Sequence, residues 1–252
     1  MTANDHFSRQ AAEYRASRPG YPMALFDFLA RACARRDRAL DCATGNGQAA
    51  VGLAPHFAEV VATDLSVAQL ARAEARPNLR YLAATAERLP LADASVDLVT
   101  VAQALHWLDP AAFYPELARI ARGDALIAAW SYGRMRVGPA VDAIVERLYS
   151  DLVGPYWPPG REHVENGYRD LPFPFAPVAA PELAMAADWR FERLLGYLAS
   201  WSAVQRCAAQ HGCDPLDEVR EELRAAWGDP DATRRVEWPL ALRAGRIRPS
   251  SG

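Results

Sequence analysis

The stretch Leu40-Asp41-Cys42-Ala43-Thr44-Gly45-Asn46-Gly47-Gln48-Ala49-Ala50 joins a short apolar strand, an acid and a glycine-rich turn that opens a helix. Glycines at such a turn let the backbone approach a ligand closely and allow the tight change of direction. A second acid closes the run Ala62-Thr63-Asp64-Leu65-Ser66, where a carboxylate suits the two hydroxyls of a ribose. His106-Trp107 adds a side chain that titrates near neutrality, fit for a general base or for orienting a substrate. Arg134 and Arg161 are permanent cations of the kind that grip carboxylates with two parallel hydrogen bonds.

Two cofactor classes fit the turn and its acid. Gly45-x-Gly47-x-x-Ala50 followed by Asp64 meets a loose dinucleotide fingerprint, so an NAD(P)-dependent oxidoreductase is one reading. Asp41 weighs against it, because a carboxylate beside a pyrophosphate opposes the positive helix end that should hold it. S-adenosylmethionine has no phosphate and carries an ammonium and a sulfonium. An acid at this point suits it, directly or through water.

Strand and helix patterns alternate through the first half, which is what would position these residues. Helices are expected over Phe7–Ala16, Pro22–Cys33, Gly47–Phe57, Val67–Ala75 and Pro110–Arg122. Strands are expected over Arg38–Ala43, Glu59–Asp64, Leu79–Ala84, Val96–Gln103 and Asp124–Ser131. Runs such as Val96-Asp97-Leu98-Val99-Thr100-Val101 are nearly continuous in apolar character, as parallel strands covered on both faces should be. The alternation implies a parallel sheet with right-handed crossovers. In an open sheet of this kind ligands bind beyond the carboxyl ends of the strands. After Gly133 come Pro- and aromatic-rich loops at 154–160 and 171–177, helices over Ala140–Ser150, Phe191–Gln210 and Pro215–Trp227, and strands over Pro181–Trp189 and Arg234–Arg243. The pattern is that of an α/β domain carrying a helical, aromatic cap. Trp130 and Tyr132 end the fifth strand, and Tyr156, Trp157, Tyr168, Tyr197 and Trp201 either line a substrate pocket with Arg134 and Arg161 or form the core of the cap.

Composition narrows the chemistry. The 252 residues hold 28 Lys+Arg and 31 Asp+Glu, a net charge of -3, so nothing draws the chain to nucleic acid or an anionic membrane. All 28 basic residues are arginine. That excludes Schiff-base and pyridoxal enzymes in their usual form and the lysine-dependent P-loop. The cysteines Cys33, Cys42, Cys207 and Cys213 form no CxxC pair, and Cys207-His211-Cys213 matches no common zinc module, so no metal is expected. The polar start and the lack of any long apolar run imply a cytoplasmic protein without a membrane span.

Asp41-x-Ala43-x-Gly45-x-Gly47-Gln48, Asp64-Leu65-Ser66, Ala84-Thr85-Ala86-Glu87-Arg88-Leu89-Pro90 and Asp97-Leu98-Val99 stand in the order and spacing of a known family. The chain resembles the class I S-adenosylmethionine-dependent methyltransferases of the type 11 group. Phe7-x6-Tyr14-x3-Arg18-Pro19-x-Tyr21-Pro22, Ala104-x-His106-Trp107 and Gly196-Tyr197-Leu198-x-Ser200-Trp201-Ser202 make it similar to small-molecule enzymes related to trans-aconitate methyltransferase. The resemblance implies a Rossmann-like α/β fold: a mostly parallel seven-stranded sheet, an antiparallel C-terminal hairpin and a helical cap. One domain spans 1–252, with cofactor-covering helices in 1–35, the cofactor core in 36–132, the cap in 133–232 and the last strand and tail in 233–252.

By the same resemblance Asp41, Ala43, Gly45, Gly47 and Gln48 would hold the methionine part of the cofactor. Asp64 would bind the ribose, Leu65 would pack on the adenine, Thr85 and Ala86 would edge it, and Gln103 would face the amino group. Tyr14 and Arg18 would approach the carboxylate. The substrate would be a small molecule methylated on a carboxylate or hydroxyl oxygen, near His106 and Trp107. The segment Gln103-Ala-Leu-His106 lacks the Asn/Asp-Pro-Pro-aromatic pattern of nucleic-acid amino-methyltransferases. Two positions depart from the family: Ala43 stands where glycine is usual, and Thr85 where an acid is usual. They leave open a relative that binds the cofactor without catalysis.

Overall fold

A computed structural model describes residues 20–247 of the chain. Tyr14, Arg18 and the helix expected over Phe7–Ala16 lie outside the described residues. The chain divides into two compact units. Among the described residues, one comprises 21–133, 162–184 and 239–247, and the other Gly20, 134–161 and 185–238.

In the first unit α1 (Met23–Ala32) is followed by β1 (Arg38–Cys42), α2 (Gln48–Leu53), β2 (Glu59–Asp64), α3 (Val67–Leu70) and β3 (Leu79–Ala83). Then come β4 (Val96–Ala102), a 3-10 turn at Leu105–Trp107, α4 (Pro110–Ile120) and β5 (Ala121–Tyr132). Strands β1 to β5 pair in parallel in the order β3-β2-β1-β4-β5, with Asp41 beside Ala62 on one side and Thr100 on the other. The order reverses between β1 and β4, so the loops leaving these two strands open side by side at the switch point. Side chains alternate between the two faces of the sheet. Leu40, Val61, Val99, Val101 and Ile127 join Phe113, Leu117 and Ile120 of α4 in one core layer. Ala39, Val60, Ala62, Leu98, Leu126 and Trp130 join Leu25, Phe26 and Leu29 of α1 and Ala49, Ala50 and Leu53 of α2 in the other. Burial on both faces explains the unbroken apolar runs of β2 and β4.

Asp97, the one acid inside β4, faces away from solvent and ties the strand entrances together. Its carboxylate accepts from the backbone N–H of Asp37 at 2.8 Å and of Arg38 at 2.9 Å, and pairs with Arg122 at 2.7 Å. The Asp97-Leu98-Val99 segment therefore has a structural reason within the sheet.

The remaining elements are α5 (Pro139–Arg147), continued as a π-turn over Leu148–Leu152, α6 (Arg161–Glu165), β6 (Ala176–Pro177) and β7 (Leu183–Trp189). They end with α7 (Phe191–Ala199), α8 (Ser202–His211), α9 (Arg220–Trp227) and β8 (Arg234–Arg246). β8 runs antiparallel to β5, Tyr132 opposite Leu240 through Leu126 opposite Arg246, and β7 and β6 both pair with β8. Seven strands of five or more residues plus the dipeptide β6 make the eight of this sheet.

Four helices depart from the sequence pattern, and the first, expected over Gly47–Phe57, runs only over Gln48–Leu53. The helix expected over Val67–Ala75 stops at Leu70, because none of its residues is buried and nothing rewards further turns. The helix expected over Phe191–Gln210 is two helices, broken where the buried Trp201 takes extended backbone angles. Pro215–Trp227 begins as a 3-10 turn capped by Asp214 and becomes α-helical only from Arg220.

Candidate active site

The turn after β1 is built around Asp41. Its carboxylate is fully buried and accepts from the Thr44 hydroxyl, from the Thr100 hydroxyl at 2.8 Å and from the Ala50 N–H at 3.1 Å. Ala50 is the third residue of α2, where an N-cap side chain would normally bond. The N-cap is Gly47 and offers none, so Asp41 supplies the cap from the strand below. Both oxygens of Asp41 are thus spent on fixing the turn. Burial pushes this carboxyl up to about 6, with the Thr44, Thr100 and Ala50 donors pulling the other way.

The turn itself lies in left-handed backbone space, with φ 53° at Ala43, 57° at Gly45 and 84° at Gly47. A side-chain carbon on Gly45 would meet nothing within 4 Å, whereas one on Gly47 would strike the Tyr81 hydroxyl at 2.4 Å. Gly45 therefore faces open space and Gly47 lies under a tyrosine lid. Alanine at a left-handed position costs about 1 kcal/mol relative to glycine once glycine's own chain entropy is counted. Ala43→Gly should raise the thermal midpoint by a few degrees, on the order of 2–4 °C for a chain of this size. An unchanged or lowered midpoint in a differential scanning run would contradict this.

Asp64 closes β2 beside this turn. One oxygen accepts from the Gly45 N–H at 2.8 Å and the other from the Ser66 N–H at 2.7 Å. Leu65 follows with 72% of its surface exposed, unusual for a large apolar side chain. Gln48, the first residue of α2, is exposed, Thr85 forms an isolated bridge with Arg88, and Ala86 is buried against the α4 core layer.

Gln103 directly follows β4 with φ 59°, a left-handed conformation rare for a non-glycine residue, and its Nε2 is buried without a hydrogen-bond partner among the described residues. Strain and an orphaned buried donor on one residue at a switch point mark a place where a ligand acceptor belongs, which suits the carboxylate of the methionine part rather than the amino group expected from the resemblance. Three residues on, the His106 ring lies 4.6 Å from that of Trp107, which is 64% exposed. The His106 Nδ1 lies 3.3 Å from the hydroxyl of Tyr168, a fully buried residue.

Comparison with known proteins decides what this arrangement belongs to. Residues 40–129 match the family described as a methyltransferase domain. The chain is 32% identical over 237 residues to a provisionally assigned methyltransferase of Dictyostelium discoideum, across 92% of this chain and 90% of the relative. The chain belongs to the methyltransferase family. An uncharacterised methyltransferase of Mycobacterium tuberculosis is 34% identical over 220 residues, 86% of this chain and 85% of the relative. A solved structure of a provisionally assigned type II methyltransferase from Anaeromyxobacter dehalogenans is 50% identical, with a TM-score of 0.88, covering 92% of this chain and 99% of that one. The class I methyltransferase fold and enzyme class expected from the sequence hold, and the oxidoreductase reading is set aside.

The expected substrate residues of this methyltransferase divide between its units. Trp130 lies fully buried in the sheet, edge-on to Tyr21 at 5.4 Å, and so packs the core rather than lining a surface; Tyr132 ends the same strand. In the other unit Tyr149 gathers most of the rest. Trp157 and Trp201 lie 4.6 and 5.5 Å from its ring, the Arg134 guanidinium lies 5.1 Å above it, and Arg161 Nε donates to its hydroxyl at 2.6 Å. Arg134 also forms an ion pair with Glu146, so its charge is already answered within the protein. Arg161 lies 4.8 Å over Trp157. Tyr156 stands apart from this group, bonded at 2.5 Å to His211 Nε2. Sequence reasoning missed Tyr149 as the hub, Thr100 as a partner of Asp41 and Tyr81 as the cover of Gly47. It also missed Tyr168 as the partner of His106. Only the last carries a signal, the Asn166-Gly167 turn dipeptide just before it.

Proposed function

We propose that the loops after β1, β2 and β4 hold S-adenosylmethionine and that the enzyme transfers a methyl group to an oxygen of a small molecule. The observation that carries the cofactor site is the orphaned, buried Nε2 of Gln103 on a strained residue, across the switch point from an open glycine turn. The donor set suits the group. Asp64 offers lone pairs to the ribose hydroxyls, Leu65 an apolar face to the adenine, and Thr85 and Ala86 its edge. Gly45 opens its backbone to the methionine part, Ala43, Gln48 and the Tyr81-covered Gly47 flank it, and Asp41 supplies negative charge from beneath. Tyr14 and Arg18 are assigned to the carboxylate.

When bound, the cofactor supplies an electrophilic methyl carbon on a sulfonium. The protein's share is then alignment and exclusion of water, which can account for most of the acceleration of an in-line displacement. His106 and Trp107 lie three and four residues after Gln103 and are assigned to the acceptor. In the other unit the arginine-aromatic group of Arg161, Trp157 and Trp201 is of the type that grips an acidic substrate, with Tyr156 near it in sequence.

A thermal-shift experiment tests the cofactor. S-adenosylhomocysteine at 100 times its Kd should add about 2.7 kcal/mol, which is roughly 5–10 °C for a protein of this size. Stabilisation by NADH and not by S-adenosylhomocysteine would overturn the proposal.

A further inference from the structure

His106 is served by a dedicated piece of structure. Tyr168 is fully buried, yet its backbone sits at φ 63° directly after Gly167 at φ 69°. Two successive left-handed residues, one of them a tyrosine, persist only where the surroundings over-determine them. Here they do. The Tyr168 N–H donates to the His163 carbonyl at 2.7 Å, and the Tyr168 carbonyl accepts from Arg243 of β8. The same Arg243 Nη1 donates to the Leu171 carbonyl at 2.9 Å, and its guanidinium lies 4.5 Å over the Phe173 ring. Gly167 in turn presses on β8, since a side-chain carbon there would come within 2.6 Å of the Ala241 Cβ. What this clamp presents is one phenol, 3.3 Å from His106 Nδ1, with the two rings 5.8 Å apart and inclined by 29°.

The chemistry of the pair sets the direction of the bond. A phenol proton is more acidic than the N–H of a neutral imidazole, and an imidazole nitrogen is the stronger acceptor. The hydroxyl therefore donates and Nδ1 accepts, which leaves the ring proton on Nε2. We propose that Tyr168 is the positioning residue of the site, holding neutral His106 in the Nε2–H tautomer so that it meets the substrate as a hydrogen-bond donor. This rests on the assignment of His106 to the acceptor made above, and it sharpens that assignment. An Nε2 that already carries the proton cannot take one from the acceptor, so the oxygen it meets must be nucleophilic without a base, which is a carboxylate rather than a hydroxyl. The carboxylate oxygen forms the new C–O bond, the C–S bond breaks with its electron pair left on sulfur, and no proton changes hands.

Nitrogen-15 NMR of the full chain at pH 8, with and without S-adenosylhomocysteine, tests this without a substrate. The chain has five histidines, and His106→Gln identifies the signals of His106 by their loss. The wild type should show a protonated Nε2 and an unprotonated Nδ1 at His106. Tyr168→Phe, which keeps the buried ring, should replace that pattern by a tautomeric average while S-adenosylhomocysteine affinity changes less than twofold. A protonated Nδ1 in the wild type overturns the proposal even if the variant does not fold, and so does an unaltered pattern in a folded variant. Should the wild-type pattern hold while S-adenosylhomocysteine fails to bind, the cofactor assignment falls and the role of Tyr168 stands.

Discussion

Asp64→Ala is expected to weaken S-adenosylhomocysteine binding by about 1.5–3 kcal/mol, roughly tenfold to a hundredfold, measured by isothermal titration. The direct part is the loss of two hydrogen bonds from ligand hydroxyls to a charged acceptor. The structure adds an indirect part, because the same carboxylate holds the Gly45 N–H at 2.8 Å and the Ser66 N–H at 2.7 Å. Alanine thus releases the glycine turn and the start of α3 as well as the ligand. Asp64→Asn separates the two. Its amide oxygen can keep one backbone bond, so the turn is partly held while the anionic acceptor is gone. The two losses should therefore be ordered, alanine above asparagine above wild type. An affinity within twofold of wild type for Asp64→Ala would remove Asp64 from the cofactor site.

How far such a site can be read from sequence depends on whether one residue carries its own reason. Gly45 and Gly47 announce a turn because the left-handed angles they adopt, 57° and 84°, are expensive for other residues. Ala43 adopts 53° in the same turn and gives no sign of it, since alanine is no marker of left-handed backbone. The strands β2 and β4 were legible from their apolar runs because both faces of a parallel sheet are covered. Partnerships were not legible. Thr100 reaches Asp41 across 59 positions and Tyr168 reaches His106 across 62, and no local pattern encodes such pairs. The ion pair of Arg134 with Glu146 is the same kind of event, and it withdraws an arginine that sequence alone would offer to a substrate. Spacing thus located the residues at strand ends, and the tertiary fold decided which of them still have charge or hydrogen bonds to give.

Asp41 carries the other large effect, and its sign follows from burial. In the fold this carboxyl is pushed up to about 6 from the ordinary 3.8, because loss of hydration outweighs its three hydrogen bonds. The folded protein therefore holds the Asp41 proton more tightly than the unfolded chain does. The stability this gives is full below about pH 4 and is lost as the pH rises through about 6. The gap corresponds to about 3 kcal/mol. Asp41→Asn has no such proton to lose, and its amide can still bond the Thr44 and Thr100 hydroxyls, which turn to suit it. Urea unfolding at pH 4 and pH 7.5 should show wild-type stability falling relative to Asp41→Asn by about 2 kcal/mol or slightly more between the two, since part of the gap is already lost at pH 4. Every other titrating group is common to both proteins and cancels in the comparison. A difference that stays constant to within 1 kcal/mol would mean that the carboxyl titrates in the fold as it does in the open chain. If the difference does fall, the enzyme keeps an ionised carboxylate at neutral pH where a neutral amide would be more comfortable. A cationic ligand above the turn is the partner that such a buried charge serves, and S-adenosylhomocysteine, which keeps the ammonium group, should then lose affinity on Asp41→Asn at pH 7.5.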